Sequence, residues 1–165
     1  MFAIGQSHID SFFYDAYLRD RKCDERGPMS PARSRLTAFV VDDEPTIAST
    51  MELVLRSKGF DARSFVDPFD ALRAAQSLAP DLLISDVIMA EMNGFDLAIR
   101  VTDRHPGCKV LMFSGQTATE DLYLNFRSQG HDFVLLAKPI HPHELFSKIE
   151  ELFEIGTEPD PPHVA

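Results

Sequence analysis

Two adjacent aspartates, Asp42 and Asp43, follow the short apolar run 38–41 and precede Pro45. A β-branched run that ends in carboxylates and then in a proline predicts a strand, an acidic loop and a helix that starts at the proline. Two neighbouring carboxylates repel each other and cost stability unless a cation lies between them. Because hard oxygen ligands suit Mg²⁺, the pair predicts one part of a divalent-cation site.

From residue 36 onward, short apolar runs alternate with longer stretches of helical periodicity. The runs that predict strands are 36–41, 61–66, 82–85, 109–113 and 132–137. The stretches that predict helices are 45–58, 68–78, 94–104, 119–129 and 141–153. Five strands that alternate with five helices predict a single α/β domain, a doubly wound parallel sheet covered on both faces. The near-continuous apolar character of the strands predicts that they are fully buried.

Composition excludes several classes of protein. The chain of 165 residues is 44% hydrophobic and 25% charged, as is usual for a soluble globular protein. Its net charge of -10 disfavours generic nucleic-acid binding, which needs clustered Lys and Arg. Its longest apolar stretch, 133–137, is too short to cross a membrane. Cys23 and Cys108 lack zinc-like spacing and no signal peptide is evident, which predicts free thiols in the cytoplasm.

A break in composition near residues 27–31 separates an extension, 1–35, from the predicted domain at 36–155. Residues 1–36 carry six Lys/Arg and five Asp/Glu, a net charge of +1, whereas the remainder carries ten and twenty-one, a net charge of -11. The acidity therefore belongs to the domain. The Pro-rich end, 156–165, predicts a disordered tail.

The extension itself has an apolar pattern with two interpretations. Helical spacing over 7–22 predicts a short amphipathic helix that docks on the domain or on a partner. The residues with this spacing are Ile9, Phe12, Phe13, Ala16 and Tyr17. The alternative is that translation starts at Met29 and that residues 1–28 are a reading-frame artefact.

Chemically active side chains follow four of the five predicted strands. They are Asp42 with Asp43, Asp86, Ser114 and Lys138. Each one alone fits a turn, a helix cap or a solvated side chain. In an open α/β sheet, however, ligands bind outside the carboxyl ends of the strands, where all of these residues converge.

At these positions the chain resembles the receiver domain of two-component response regulators. The resemblance covers roughly residues 36–155 and rests on four motifs. They are Asp42-Asp43, Asp86 followed by Val-Ile-Met-Ala-Glu-Met-Asn-Gly, Ser114-Gly115 and Lys138-Pro139. It implies a flavodoxin-like sheet with the strand order 2-1-3-4-5.

The resemblance also implies a metal-assisted phosphoacceptor. Asp86 resembles the nucleophile that takes a phosphoryl group from a phosphohistidine. Mg²⁺ would be held by Asp43, Asp86 and the backbone carbonyl of Ile88, with Asp42 acting through water. The metal would offset the repulsion between the carboxylate and the incoming phosphate.

Two further residues complete the implied site. Lys138 would pair with the phosphoryl oxygens, and the hydroxyl of Ser114 would donate a hydrogen bond to the acylphosphate. The negative charge that the phosphoryl group adds to the domain would be the signal. The chemistry would be self-directed, Mg²⁺-dependent phosphorylation and dephosphorylation, so we do not expect an enzyme that acts on other substrates.

The expected partners follow from the same resemblance. The phosphoryl donor would be a sensor histidine kinase or a phosphotransfer protein. Only about a dozen residues follow the fifth predicted helix, which is too few for an output domain. We therefore expect a stand-alone receiver without direct DNA or membrane binding, which signals by protein contact or phosphorelay. The fourth helix, fifth strand and fifth helix are the expected surface for a downstream protein or a homodimer.

The chain departs from the family pattern at several positions. Ala90 stands where the family usually has proline, which predicts a less rigid loop. Leu135 occupies the position of the family's switch aromatic, and Phe133 is the nearest aromatic, acting either as a switch or as core. Ile88 and Gln116 flank the phosphorylation site in the family. An apolar Ile88 impedes an attacking water, which predicts slow loss of phosphate.

Two rival functions make different demands on the sequence. A phosphatase or phosphotransferase of the haloacid dehalogenase type places its nucleophile in an Asp-x-Asp motif after the first strand, where this chain has Asp42-Asp43. A degenerate receiver that binds partners without phosphorylation would normally have lost an acidic residue or the lysine, and this chain keeps them all.

Overall fold

The computed structural model of the protein describes residues 35–115, 119–131 and 133–154. The strands are β1 (Thr37–Val41), β2 (Asp61–Phe65), β3 (Leu82–Asp86), β4 (Lys109–Ser114) and β5 (Val134–Ala137). The helices are α1 (Pro45–Ser57), α2 (Pro68–Ala75), α3 (Gly94–Arg104), α4 (Thr119–Ser128) and α5 (Pro142–Glu154).

The five strands form one parallel sheet in the order β2-β1-β3-β4-β5. The predicted α/β class, the parallel sheet and the strand order are therefore confirmed. The order reverses between β1 and β3, so the loops after these two strands leave the sheet in opposite directions. Such a switch point opens a crevice at the carboxyl edge of the sheet.

Side chains of the central strands alternate between two cores. On one face, Phe39 and Val41 of β1 pack in a cluster with residues of α2, α3 and α4. On the other face, Ala38 and Val40 pack with residues of α1 and α5. Two covered faces explain why β1 is buried at every position. The prediction of full burial is wrong for β2 and β5, because both lie at an edge of the sheet.

The ends of the helices follow from local chemistry. Gly59 and Gly130 end α1 and α4 with positive φ angles of 93° and 90°, a conformation that costs glycine little. Helix α2 ends at Ala75 rather than at the predicted residue 78. The amide of Gln76 bonds to the carbonyl of Arg73, so the chain tightens there into a turn.

Cys108 is buried at the start of β4 and is a free thiol. Burial raises its pKa to about 12, with a further contribution from the charge of Asp81. The prediction of a free thiol is confirmed for this cysteine, which stays protonated at neutral pH.

The ends of the chain lie outside the described residues. The predicted helix at 7–22, the alternative start at Met29 and the disordered tail at 156–165 therefore stay predictions, as do the domain boundaries. Within the described ranges, no helix combines the length and the apolar character needed to cross a bilayer.

Candidate functional site

Asp42 lies directly after β1 and is only 2% exposed. Its amide donates a hydrogen bond to the carbonyl of Phe65 at 3.2 Å, which ties it to the end of β2. Its Oδ1 accepts a hydrogen bond from the amide of Glu44 at 2.9 Å. One carboxylate oxygen is thus held by the loop, and Oδ2 points to the crevice.

Asp86 is the last residue of β3 and lies across the crevice from Asp42. The amide of Ile88 donates a hydrogen bond to Asp86 Oδ1 at 3.3 Å. The hydroxyl of Ser85 donates to the carbonyl of Asp86 at 2.9 Å. These contacts orient both the side chain and the backbone of the predicted phosphoacceptor.

Lys138 joins the two aspartates. Its Nζ lies 2.9 Å from Asp42 Oδ2 and 3.0 Å from Asp86 Oδ2. The amide of Lys138 donates to the carbonyl of Ser114 at 2.7 Å, which anchors the residue at the end of β4. The peptide bond between Lys138 and Pro139 is cis.

Burial and hydrogen bonding act in opposite directions on the pKa of Lys138. Burial disfavours the ammonium and lowers the pKa. The hydrogen bonds to Asp42 and Asp86, together with the charges of these carboxylates, outweigh burial and raise the pKa above its ordinary value. Lys138 is therefore a permanent cation at neutral pH.

Three carboxylates meet at this edge of the sheet. Each of Asp42, Asp43 and Asp86 offers one oxygen, and these oxygens lie within 4.8 Å of one another. Asp42 is buried and Asp43 is exposed, so the cluster opens to solvent on one side. Three carboxylates against one ammonium leave negative charge in excess. All-oxygen ligands with excess negative charge fit a hard divalent cation.

Ser114 and Ile88 lie beside this cluster. Ser114 is buried at the end of β4, and its register partner in β5 is Ala137, next to Lys138. Ile88 is 47% exposed in the loop after β3. Gln116, the other predicted flanking residue, lies outside the described residues.

The tight packing of Gly94 against Asp86 was not predicted from the sequence. A Cβ at Gly94, the first residue of α3, would lie 2.1 Å from the carbonyl oxygen of Asp86. The amide of Gly94 also donates to the carbonyl of Val87 at 2.8 Å. The close approach of α3 to the carbonyl of Asp86 therefore requires glycine at position 94. This requirement becomes visible only when the position of α3 in the structure is known. The glycine in the Met-Asn-Gly sequence was the one available signal.

The two candidates for a switch residue differ in their surroundings. Phe133 lies just before β5 and stacks on the ring of Phe95, with 6.4 Å between centroids, and on His131, with 5.8 Å. Phe95 also stacks on Phe126 of α4 at 4.8 Å. Leu135 packs against the same core cluster. Phe133 therefore belongs to an aromatic group that joins α3, α4 and β5.

Curated relatives of the chain are response regulators. It is 36% identical over 121 residues to the DNA-binding response regulator MtrA of Mycolicibacterium smegmatis, an alignment that covers 73% of this chain and 51% of MtrA. It is 31% identical over 117 residues to the probable transcriptional regulatory protein TcrX of Mycobacterium tuberculosis, covering 71% of this chain and 49% of TcrX. The chain thus spans about half the length of these relatives.

These relatives correct one prediction. The expectation of no direct DNA binding is wrong, because MtrA is a DNA-binding response regulator. That expectation rested on the net charge of -10 and on the few residues after the last helix. Net charge averages over a whole chain, so it carries no information on how a receiver is joined to a DNA-binding part.

Solved structures and the family model agree with the fold. The chemotaxis protein CheY4 of Vibrio cholerae is 26% identical, with a TM-score of 0.63, over 72% of this chain and 98% of CheY4. The model of the response regulator receiver domain matches residues 38–150, a range that contains the three aspartates, Ser114 and Lys138. The chain therefore belongs to the response regulator receiver domain family, whose members are phosphoacceptor domains of two-component signalling.

Proposed function

We propose that the protein is a phosphorylation switch in which Asp86 accepts a phosphoryl group from a phosphohistidine donor. The observation that carries this proposal is the position of the Asp86 carboxylate. It lies 3.0 Å from Lys138 Nζ and within 4.8 Å of the carboxylates of Asp42 and Asp43, at the carboxyl edge of the sheet. Three carboxylates and an ammonium thus lie together in one open crevice, which supports the roles proposed here of nucleophile, metal ligands and counter-charge.

The transfer is a displacement at phosphorus. A carboxylate oxygen of Asp86 forms a bond to phosphorus, and the bond between phosphorus and the imidazole nitrogen of the donor breaks. The bonding electron pair leaves with the imidazole, and because the other ring nitrogen of the donor carries a proton, the leaving group is a neutral imidazole. Asp86 becomes an acylphosphate with a charge of about -1.5 to -2.

The acidic cluster would hold Mg²⁺. Asp43 and Asp86 are the proposed direct ligands with the backbone carbonyl of Ile88, and Asp42 acts through water. The bound ion would neutralise charge on the phosphoryl oxygens. Asp43 is exposed, so it is accessible to a hydrated ion.

Lys138 and Ser114 act on the phosphorylated state. Lys138 Nζ already contacts Asp86 Oδ2, so a phosphoryl group on that residue would meet an ammonium at hydrogen-bond distance. The hydroxyl of Ser114 would donate to a phosphoryl oxygen. Movement of both groups toward Asp86 would pull on the ends of β4 and β5 and so transmit the signal.

The phosphoryl donor would be a sensor histidine kinase or a phosphotransfer protein. The proposed output surface is formed by α4, β5 and α5, where a downstream protein or a second copy would bind. Leu124 of α4 is an exposed apolar side chain there, whereas Phe126 and Leu145 are core. Strand β5 lies at the sheet edge, which leaves its outer side open to a partner.

Incubation with acetyl phosphate and Mg²⁺, followed by intact mass spectrometry, tests the proposal. The wild-type chain should gain one phosphoryl group, and Asp86→Ala should gain none. A matched control is Asp103→Ala, which removes an exposed aspartate of α3 and should be phosphorylated as the wild type is. Chelation of Mg²⁺ should abolish the adduct in the wild type and in Asp103→Ala.

Three results would overturn the proposal. One is a wild-type chain without an adduct, provided that circular dichroism shows it folded. Another is an adduct that persists in folded Asp86→Ala. The third is steady turnover of a free phosphomonoester without an acylphosphate, which would indicate a phosphatase.

A further inference from the structure

An apolar groove lies between α1 and α5 on the face of the sheet opposite α2 and α3. It has a volume of about 260 Å³. Its walls are formed by Thr46, Ile47, Thr50, Met51, Val54, Ile140, Pro142 and Leu145. We call this set of residues the α1/α5 groove. Pockets for small molecules usually measure roughly 300–1,000 Å³, so the groove suits a few side chains of a peptide better than a small ligand.

Exposed apolar surface continues beyond the groove. Leu53 is 68% exposed, the most exposed large apolar side chain of the described residues. It follows Thr46 by seven positions and Thr50 by three, so it lies on the same side of α1. An exposed leucine beside an apolar groove marks a surface that another segment can cover.

Leu36, the residue directly before β1, lies on this face of the sheet. Leu36 packs in the same core cluster as Leu55 of α1 and Leu145 of α5. The 13 residues of α1 span about 20 Å at 1.5 Å per residue. Residues 23–35 span up to about 40 Å when extended. The part of the chain before residue 23 can therefore reach any point along the groove.

The sequence before residue 23 has the chemistry that the groove requires. Apolar side chains recur at i, i+3, i+4, i+7 and i+8, the anchor pattern of a helix that binds in a groove. They are Ile9, Phe12, Phe13, Ala16 and Tyr17. The segment carries three basic residues and three acidic ones, so its formal net charge is zero; they are Arg19, Arg21 and Lys22 with Asp10, Asp15 and Asp20. Binding to the groove would therefore depend on the apolar stripe rather than on net charge.

We propose that segment 7–22 binds the α1/α5 groove of its own chain through this apolar stripe. A short linker joins segment 7–22 to the domain, so the effective concentration of the segment at the groove is high. This favours binding within one chain. The inference does not depend on phosphorylation of Asp86.

A nitroxide label at Cys23, one residue beyond the segment, tests the proposal in the full chain. Cys108 is buried, so the label should attach at Cys23. Amide signals of α1 and of the first turns of α5 should lose intensity relative to the same sample with the label reduced. Signals of α2 and α3, on the opposite face, should keep theirs.

Two variants should abolish the effect. Phe12→Asp with Phe13→Asp removes the anchors, and Thr50→Lys places a charge in the groove. Asp103→Lys, on α3, is the matched control and should leave the loss of intensity unchanged. Equal intensities in the wild type and in the Phe12/Phe13 variant would overturn the proposal.

A mixed sample separates one chain from two. Labelled chain without ¹⁵N is mixed with unlabelled chain that contains ¹⁵N. Intramolecular docking predicts full intensity for the α1 signals of the unlabelled chain. A loss of intensity there would show that a second copy fills the groove, which would also overturn the proposal.

Discussion

The Nζ of Lys138 lies 2.9 Å from Oδ2 of Asp42, a side chain that is 3% exposed. The two residues are 96 positions apart, and their contact joins the loop after β1 to the loop after β5. Lys138 is thus the counter-charge of a buried carboxylate as well as a neighbour of Asp86. It serves the stability of the domain and the proposed phosphorylation chemistry together.

Replacing Lys138 by methionine should destabilise the domain. Removing one partner of a buried pair leaves an uncompensated charge on Asp42. We expect the free energy of unfolding to fall by about 3 kcal/mol. This value is at the low end for buried pairs, because the lysine is 23% exposed and solvent screens its charge. Urea denaturation measures it. In Asp42→Asn with Lys138→Met, the loss should be smaller than the sum of the two single losses, and strict additivity would contradict the pairing.

The same pair predicts a dependence on pH. The raised pKa of Lys138 means that its stabilising contribution is complete below the ordinary value of 10.5 and is lost as the pH rises through the higher folded-state value. The stability difference between the wild type and Lys138→Met should therefore stay constant between about pH 7 and 9 and shrink under more alkaline conditions. A difference that grew above pH 10.5 would have the wrong sign.

Asp43→Asn should stabilise the metal-free domain. The substitution removes one of three carboxylates that lie within 4.8 Å, so their mutual repulsion falls. The exposure of Asp43 limits the gain to about 0.5–1 kcal/mol. Thermal unfolding in the presence of a chelator measures this change. Asp103→Asn, away from the cluster, should leave the midpoint unchanged.

Magnesium should stabilise the wild type and not Asp43→Asn. A ligand that binds only the folded state adds about 2.7 kcal/mol at one hundred times its dissociation constant. The unfolding midpoint of the wild type should rise as Mg²⁺ is added. Above the dissociation constant, the stabilisation should grow with the logarithm of the Mg²⁺ concentration. An equal rise in Asp43→Asn would show that the ion binds elsewhere.

Gly94→Ala should cost more stability than an ordinary surface substitution. The new Cβ would lie 2.1 Å from the carbonyl oxygen of Asp86, so α3 or the end of β3 must shift. Overpacking of this kind costs about 1–3 kcal/mol, and the shift should also slow phosphorylation of Asp86. Gly107→Ala is the matched control, because its added Cβ would have no atom within 4 Å. Equal effects of the two variants would contradict the close packing.

Ile88→Asn should shorten the lifetime of the phosphorylated state. The Ile88 side chain is 47% exposed and its amide contacts Asp86 Oδ1, so it lies where water would approach an acylphosphate. An amide would hydrogen-bond that water instead of excluding it. Phosphate release after acetyl phosphate is removed measures the lifetime. Leu124→Asn on α4 is the control, and a wild-type half-life of seconds would refute slow loss.

Local patterns in the sequence determined the elements and their order along the chain. Alternating apolar runs and helical stretches predicted β1 to β5 and α1 to α5, with boundary errors of a few residues. The acidic loop after β1 and Asp86 after β3 were predicted to lie at strand ends, and the structure places them there. These features depend on neighbours in sequence, so periodicity and turn chemistry reveal them.

The tertiary structure decided which residues of separate elements contact one another at the strand ends. The contact between Lys138 and Asp42 spans 96 positions. The requirement for glycine at position 94 arises because α3 lies against the carbonyl of Asp86. The edge position of β5 leaves three of its four residues partly or fully exposed, although its apolar composition predicted burial. Each of these depends on how separate elements pack, a physical relationship that no local pattern in the sequence contains.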